Sequence, residues 1–251
     1  MIFAVLFTGL VIYLAAVSPW WGTRSYRKLE RERSRPLFIR MMSLWVGELW
    51  ALAAVSLLLV ALSPDLDLAR IGLAVPEDGV VFAGMLIGMI VVAVAFGALA
   101  FVMEKKKGVV VGPGREVFSA LMPRDRTERW YAAALAVTAG VCEEIVFRGL
   151  LIAVGVHVLG LPLPVAAGLA LALFAIGHLY QGPRGMIAVT LFGLAFTMLY
   201  LRTGSLIPVI LLHAMADLRA FLLNPATRAG DTAQAGAAQA GAAQGVGAGS
   251  R

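Results

Sequence analysis

The chain has 251 residues, of which 60% are hydrophobic and only 14% are charged. A soluble domain carries about 25% charged residues, so this composition excludes an ordinary soluble domain and predicts an integral membrane protein surrounded by the lipid bilayer. The single cysteine, Cys142, excludes an intramolecular disulfide and a multi-cysteine metal site. The net charge of +6 comes from Lys and Arg residues beside apolar segments, as topology signals do. Because no nucleic-acid motif accompanies these residues, we expect no nucleic-acid partner.

Apolar segments long enough for membrane helices recur along the chain. A spanning helix needs about 20 apolar residues. Seven segments qualify or come close: 1–18, 42–62, 79–103, 131–156, 163–180, 186–201 and 205–223. The last three are short and closely spaced, so we expect them to be buried among other helices. The predicted fold class is all-α, a polytopic transmembrane helical bundle with about seven spans.

The distribution of charge predicts how the chain crosses the membrane. Residues 19–41 and 104–130 each carry seven Lys or Arg residues, whereas residues 63–78 carry four acidic residues against Arg70 alone. Because basic loops stay on the cytoplasmic side, we expect both basic loops in the cytoplasm. The N-terminus is then outside and, with seven spans, the C-terminus is cytoplasmic. The expected location is the cytoplasmic (plasma) membrane.

Three ionisable residues, Glu143, Glu144 and Arg148, interrupt the apolar segment 131–156. Each costs about 2.5–3.5 kcal/mol inside a bilayer on insertion scales, so such residues are kept for pairing or for function. Glu144 and Arg148 are four residues apart, which predicts an ion pair on one helix face, whereas Glu143 is rotated by about 100°. Two readings follow: a self-neutralised structural pair beside a protonated carboxylate, or a pair that holds Glu144 while Glu143 faces a reaction centre.

Two of the three histidines, His178 and His213, also lie in apolar segments, and Asp217 follows His213 by four residues. Each histidine alone could be a core residue, but together with the charges they predict one polar pocket within the membrane. His157, just past the predicted end of its helix, is expected to have no role. Glu48, the remaining intramembrane acid, is expected to have a structural role.

The chemistry available to such a pocket is limited. A carboxylate and two imidazoles can activate water, either directly or through a divalent metal such as zinc. A second imidazole can stabilise the oxyanion formed at an attacked carbonyl, and this set suits peptide hydrolysis. Ser205 lacks a Gly-x-Ser-x-Gly frame, Cys142 has no identifiable base, and the zinc-protease motif His-Glu-x-x-His is absent.

Three motifs, Glu143-Glu144-x-x-x-Arg148, Phe174-x-x-x-His178 and His213-x-x-x-Asp217, occur in this order on the late helices. Together they resemble the CPBP family of intramembrane proteases, which includes the CAAX prenyl endopeptidases of the Rce1 type and the Abi bacteriocin-immunity proteins. Composition and the extent of this resemblance together predict three parts of the chain. Residues 1–114 hold the N-terminal transmembrane helices and a basic cytoplasmic loop, residues 115–223 hold the CPBP-like catalytic helices, and residues 224–251 form a disordered tail rich in Ala, Gly and Gln.

The resemblance implies a role for each motif residue. Glu143 would be the general base that activates water, helped by His178, and Glu144 with Arg148 would form the supporting pair. His213 would contribute to the water or oxyanion site. The family often has Asn where this chain has Asp217, so here the carboxylate would orient His213 or bind a metal.

The resemblance also implies an intramembrane endopeptidase that cuts a membrane-associated protein or peptide, prenylated or not. The expected cofactor is Zn²⁺ held by Glu143, His178 and His213, with metal-independent water activation as the alternative. Two other functions remain open: a non-catalytic membrane binding or bacteriocin-immunity protein, and an ion-coupled transporter. Inverted repeats would favour a transporter, and the sequence shows none.

Overall fold

The computed structural model describes residues 1–73 and 119–222, together with isolated positions between 79 and 102. These residues form helices and turns, and the described parts of the chain contain no strand, which confirms the all-α class. We number the helices in chain order: α1 Ile2–Arg31, α2 Arg35–Leu62, α3 126–158, α4 Leu163–Gly177, α5 Gly182–Thr203 and α6 Leu206–Leu222.

Within the described residues, three helices are long and apolar enough to cross a membrane: Ile2–Arg31, Arg35–Leu62 and Leu179–Thr203. The last of these begins with the 3₁₀ turn that precedes α5, and α4 is a shorter apolar helix. Such helices are those of an integral membrane protein, as predicted from the composition. The number of about seven spans stays a prediction. The predicted span 79–103 and the predicted tail 224–251 lie outside the described residues.

Helix α1 is longer than the sequence indicated. The span 1–18 was predicted from its apolar residues and 19–41 as the loop after it, but the helix continues to Arg31, so most of the predicted loop is helical. A π-helical turn at Tyr13–Val17 precedes the proline. Local π-helical adjustment lets a membrane helix accommodate a residue that lacks an N–H donor. The two helices α1 and α2 are therefore joined by a short turn, and most basic residues of 19–41 lie on helices.

Helix α3 lies at the centre of the bundle. Every residue from 144 to 155 is buried, so this part of the helix is covered by protein on all sides. Glu144 and Arg148 consequently contact other helices and not lipid. The arrangement removes part of the cost of keeping ionisable groups in the membrane, since protein partners replace hydrocarbon.

The turn between α1 and α2 is fixed to the start of α3 by one buried ion pair. Arg33 donates to both carboxylate oxygens of Glu128, at 3.0 and 2.7 Å. It also donates to the carbonyls of Ala120 and Met122, each at 3.1 Å. Asp125 caps α3 by accepting the backbone N–H of Glu128 at 2.9 Å. The N-terminal helices are thereby held against the segment that carries the predicted site.

Helices α3 and α6 approach each other closely at Gly140. A Cβ atom at this position would lie 2.7 Å from the backbone nitrogen of Ala214 and 2.8 Å from its Cβ atom. Only glycine permits this separation, because real Cβ contacts are never so short. The contact lies next to His213 on α6 and one turn before Glu143 and Glu144 on α3, so it sets the distance between these side chains.

Candidate functional site

Glu144 connects two helices through one carboxylate oxygen. Its Oε1 accepts a hydrogen bond from Arg148 Nη1 at 2.9 Å, so the ion pair predicted from the four-residue spacing is present. The same oxygen lies 2.6 Å from His213 Nδ1 on α6. All three side chains are buried. A carboxylate accepts but does not donate when ionised, so the Nδ1 position of His213 carries the proton.

Arg148 is held on its other side by α5 and α4. Its Nη2 donates to the carbonyl of Gly193 at 3.2 Å, and its Nε lies 3.5 Å from the hydroxyl of Thr197. The guanidinium carbon lies 4.2 Å from the centroid of the Phe174 ring, a distance suited to a cation–π interaction. Arg148 therefore ties α3 to α4 and α5 and fixes the direction of the Glu144 carboxylate.

The second ring nitrogen of His213 faces two further carboxylates. Its Nε2 lies 3.9 Å from Glu143 Oε2 and 3.7 Å from Asp217 Oδ2. Both distances exceed a direct hydrogen bond. Glu143 Oε2 is buried, and among the described residues no side chain or backbone group forms a hydrogen bond with it. One histidine thus lies between three carboxylates, with a close contact to Glu144 and wider gaps to Glu143 and Asp217.

His178 lies just outside a helix and not within one, because α4 ends at Gly177 and not at the predicted residue 180. Its Nδ1 is 2.8 Å from the carbonyl of Phe174. A carbonyl only accepts, so Nδ1 donates and Nε2 is left as the acceptor nitrogen of the ring. The ring packs against Phe174, with the centroids 4.6 Å apart, and stacks on Tyr180 at 6.0 Å. These contacts hold His178 at the edge of a cavity.

The site opens into a cavity of about 600 Å³, a size typical of ligand-binding sites. Its wall is contributed by all six helices and is mostly apolar. The ionisable residues that line it are Glu48, Glu143, His178, His213, Asp217 and Arg219. The structure therefore brings four of the six predicted site residues to this cavity, while Glu144 and Arg148 lie behind them.

The arrangement of possible metal ligands differs from a preformed metal site. Within residues 1–73 and 119–222, no three His, Cys, Asp or Glu side chains are grouped so that they could hold a metal ion. One carboxylate and two imidazoles are the ligand types of catalytic zinc, so the chemistry of Glu143, His178 and His213 suits the metal while their positions do not converge. The predicted zinc site stays a prediction.

Two features of the site were not predicted from the sequence. The contact between Glu144 and His213 joins residues 69 positions apart, and no local pattern indicates it. Glu48, expected to be structural, lines the cavity on α2. The sequence signal for this place in the cavity is an acidic residue inside an apolar segment. His157 is exposed in the last turn of α3 and not past its end.

These observations define an all-helical membrane protein with a buried carboxylate–imidazole cluster open to an apolar cavity. Residues 125–219 match the family described as type II CAAX prenyl endopeptidase, Rce1-like. The match confirms the predicted resemblance, and the matched segment contains all six predicted site residues. It supports a protease that acts on a protein or peptide substrate. Comparison with curated proteins and with solved structures gave no match.

Proposed function

We propose that the protein is an intramembrane endopeptidase that hydrolyses a peptide bond with water activated by Glu143. The observation that carries this proposal is the unpartnered Oε2 of Glu143, which is buried and lies 3.9 Å from His213 Nε2. A water molecule within hydrogen-bond reach of both atoms would meet a base on one side and an imidazole on the other. The family match of residues 125–219 supports the same reaction class.

The proposed reaction uses each residue of the cluster for one task. Glu143 takes a proton from water while the water oxygen bonds to the carbonyl carbon of the substrate. The carbonyl oxygen becomes an oxyanion, which the imidazolium form of His213, protonated at Nε2 between Glu143 and Asp217, stabilises as a donor. His178 Nε2 accepts a hydrogen bond from the attacking water. The tetrahedral intermediate then breaks at its C–N bond, and Glu143 returns its proton to the leaving amine. Water is thus divided between the new carboxyl and amino ends.

Glu144 and Arg148 have a positioning role in this proposal. Glu144 fixes the Nδ1 proton of His213 through the 2.6 Å contact, so that Nε2 faces the cavity. Arg148 in turn holds Glu144 at 2.9 Å. Asp217 lies 3.7 Å from Nε2, and we assign it the role of orienting His213 through electrostatic attraction when the imidazole gains a proton.

Zinc binding would require the side chains of the site to move closer together. Glu143, His178 and His213 would hold the ion, which when bound would supply Lewis-acid activation of water. Since these side chains are not grouped for metal binding in the described residues, the proposed reaction has no metal-dependent step. Water activation by the side chains alone is the route proposed here.

The substrate proposed is a membrane-associated protein or peptide, prenylated or not. The mostly apolar wall of the cavity favours an apolar segment or chain near the cleaved bond. From the charge distribution we propose that cleavage occurs towards the cytoplasmic face of the cytoplasmic membrane, with the N-terminus outside and the C-terminus inside.

The test is cleavage of a peptide library, including prenylated peptides, by protein purified in detergent. We expect the wild type to cleave some members, and Glu143→Gln and His178→Ala each to lower kcat by about 100-fold or more. His157→Ala is the matched histidine control, because His157 is exposed and does not line the cavity. An inactive wild type would contradict the reaction class, and active Glu143→Gln protein would contradict the assignment of the base.

The metal is tested in the same assay by chelation. Loss of activity with a chelator, restored by added zinc, would show that a metal assists the reaction. It would contradict water activation by the side chains alone. Unchanged activity after complete chelation, with metal content measured on the same sample, supports the proposed route.

A further inference from the structure

Glu48 on α2 has a carboxylate oxygen that the proposed reaction does not use. Its Oε1 accepts hydrogen bonds from the hydroxyls of Tyr13, at 2.9 Å, and Ser18, at 2.8 Å. Among the described residues, none donates a hydrogen bond to its Oε2. Glu48 lines the same cavity as Glu143. Glu48 is only partly buried, so its Oε2 is open to a donor group of a ligand in the cavity.

The two hydroxyls hold this carboxylate in one direction. Tyr13 and Ser18 are five residues apart on α1 and flank the π-helical turn Tyr13–Val17. In this turn the backbone bonds run from residue i to residue i+5, which brings both side chains to one atom of Glu48. With Oε1 occupied twice, Oε2 is the atom available for a further contact.

Gln181 provides a second acceptor on the cavity wall. It is 8% exposed and lines the cavity. Its Nε2 donates to the hydroxyl of Tyr180 at 3.2 Å, but its Oε1 is buried and has no hydrogen-bond partner among the described residues. A buried amide oxygen without a donor is destabilising. A donor group of a bound ligand would remove this cost.

The turn that carries Gln181 packs against the face of α2 that carries Glu48. The ring of Tyr180, the neighbour of Gln181, packs against Trp45 with the centroids 5.5 Å apart. Trp45 and Glu48 are three residues apart on α2 and therefore share a helix face. Both also line the cavity. The turn Leu179–Gln181 and the Glu48 face of α2 thus form one wall.

We propose that Glu48 and Gln181 form a subsite that binds a cationic side chain, lysine or arginine, of the peptide substrate. Ammonium and guanidinium groups are donors only, so they match two acceptors without partners, and a charged donor bonds more strongly than a neutral one. Among the described residues that line the cavity, three are acidic, Glu48, Glu143 and Asp217, and one is an arginine, Arg219. The inference rests on the proposed function for the identity of the ligand as a peptide.

The experiment measures peptide binding to Glu143→Gln protein, so that cleavage does not interfere. The probes are apolar nonapeptides in pairs, which differ only by lysine or norleucine at one position, and the lysine is moved through all positions. We expect one or two positions at which lysine binds about tenfold or more tightly than norleucine. Adding Glu48→Gln should bring this ratio close to one, and adding Gln181→Leu should reduce it.

The matched control is Trp50→Phe, since Trp50 lies on the same helix and is 51% exposed. It should retain the ratio of the Glu143→Gln background. A ratio near one at all positions overturns the subsite. So does a Glu48→Gln variant that weakens both peptides of a pair equally, because that result indicates a purely structural carboxylate. If Glu48→Gln does not fold, an unchanged ratio in Gln181→Leu overturns the subsite by itself.

The proposed function fails separately, through the cleavage assay with wild-type protein. If wild-type protein cleaves no peptide but the lysine preference and its loss in Glu48→Gln are observed, the subsite stands and the reaction does not. If wild-type protein cleaves peptides without any lysine preference in binding, the reaction stands and the subsite does not.

Discussion

His213 on α6 donates its Nδ1 proton to Glu144 on α3 across 2.6 Å, and this bond joins two of the three motifs described above. The same carboxylate oxygen accepts a hydrogen bond from Arg148 at 2.9 Å. A chain of three side chains therefore sets which nitrogen of His213 faces the cavity. In the proposed reaction Glu144 is the orienting carboxylate, and Glu143 is the base that meets water.

Replacing Glu144 by Gln is expected to lower kcat by about 10–100-fold, the usual effect of losing an orienting partner. The amide keeps the size of the side chain but does not require the Nδ1 proton, so His213 loses its fixed tautomer. Peptide cleavage checks the prediction, with ¹⁵N NMR of labelled histidine as a second readout. An unchanged tautomer together with full activity would contradict it.

Replacing Arg148 by Met is expected to destabilise the protein by about 3–5 kcal/mol, because it leaves a buried carboxylate without its ion-pair partner. Glu144 and Arg148 are both almost completely buried. The measurement is unfolding in detergent. Combining Arg148→Met with Glu144→Gln should cost less than the sum of the single changes, and strict additivity would show that the pair is not coupled.

The buried ion pair between Arg33 and Glu128 and the exposed pair between Arg35 and Asp125 should differ in their contribution to stability. Arg33→Ala removes a buried pair with side chains 8% and 2% exposed, whereas Arg35→Ala removes a pair with Asp125 at 55% and 22% exposed. We expect a loss of about 3 kcal/mol or more for Arg33→Ala and at most about 1 kcal/mol for Arg35→Ala. Equal shifts of the unfolding transition would refute the anchoring role of Arg33.

Replacing Gly140 by Val is expected to abolish most activity and to cost about 1–3 kcal/mol through overpacking. A Cβ atom there would lie 2.7 Å from the backbone of Ala214, so α6 must move away from α3 and carry His213 with it. Gly168→Ala is the control, since open space surrounds that position and alanine favours the helix. Gly140→Val protein with normal kcat would show that the close approach does not position the site.

The sequence predicted what depends on local spacing and missed what depends on packing. The Glu144–Arg148 pair followed from a separation of four residues on a helix. The apolar pattern also placed α2, α3 and α6 within a few residues of their observed bounds at one or both ends. The contact between Glu144 and His213 could not follow in the same way, because it depends on how α3 packs against α6.

The misplaced end of α1 has a different cause. Hydropathy marks where a segment leaves the apolar region and not where its helix ends, so the apolar run 1–18 does not indicate that the helix continues past its π-helical turn and Pro19 to Arg31. The π-helical turn places Tyr13 and Ser18 at Glu48. The part of the cavity that was least expected from the sequence therefore results from the same backbone adjustment.

The central position of α3 has a consequence for biosynthesis. Its partners for Glu144 and Arg148 lie on α5 and α6, which leave the ribosome after α3 has been made. During that interval α3 carries three ionisable residues without these later partners, and each raises the cost of partitioning into lipid. We expect α3 to insert poorly as an isolated segment and to enter the bilayer efficiently only when the downstream helices follow it. Truncation after α4, compared with truncation after α6 in a glycosylation-based insertion assay, should show this dependence as a change from partial to complete integration.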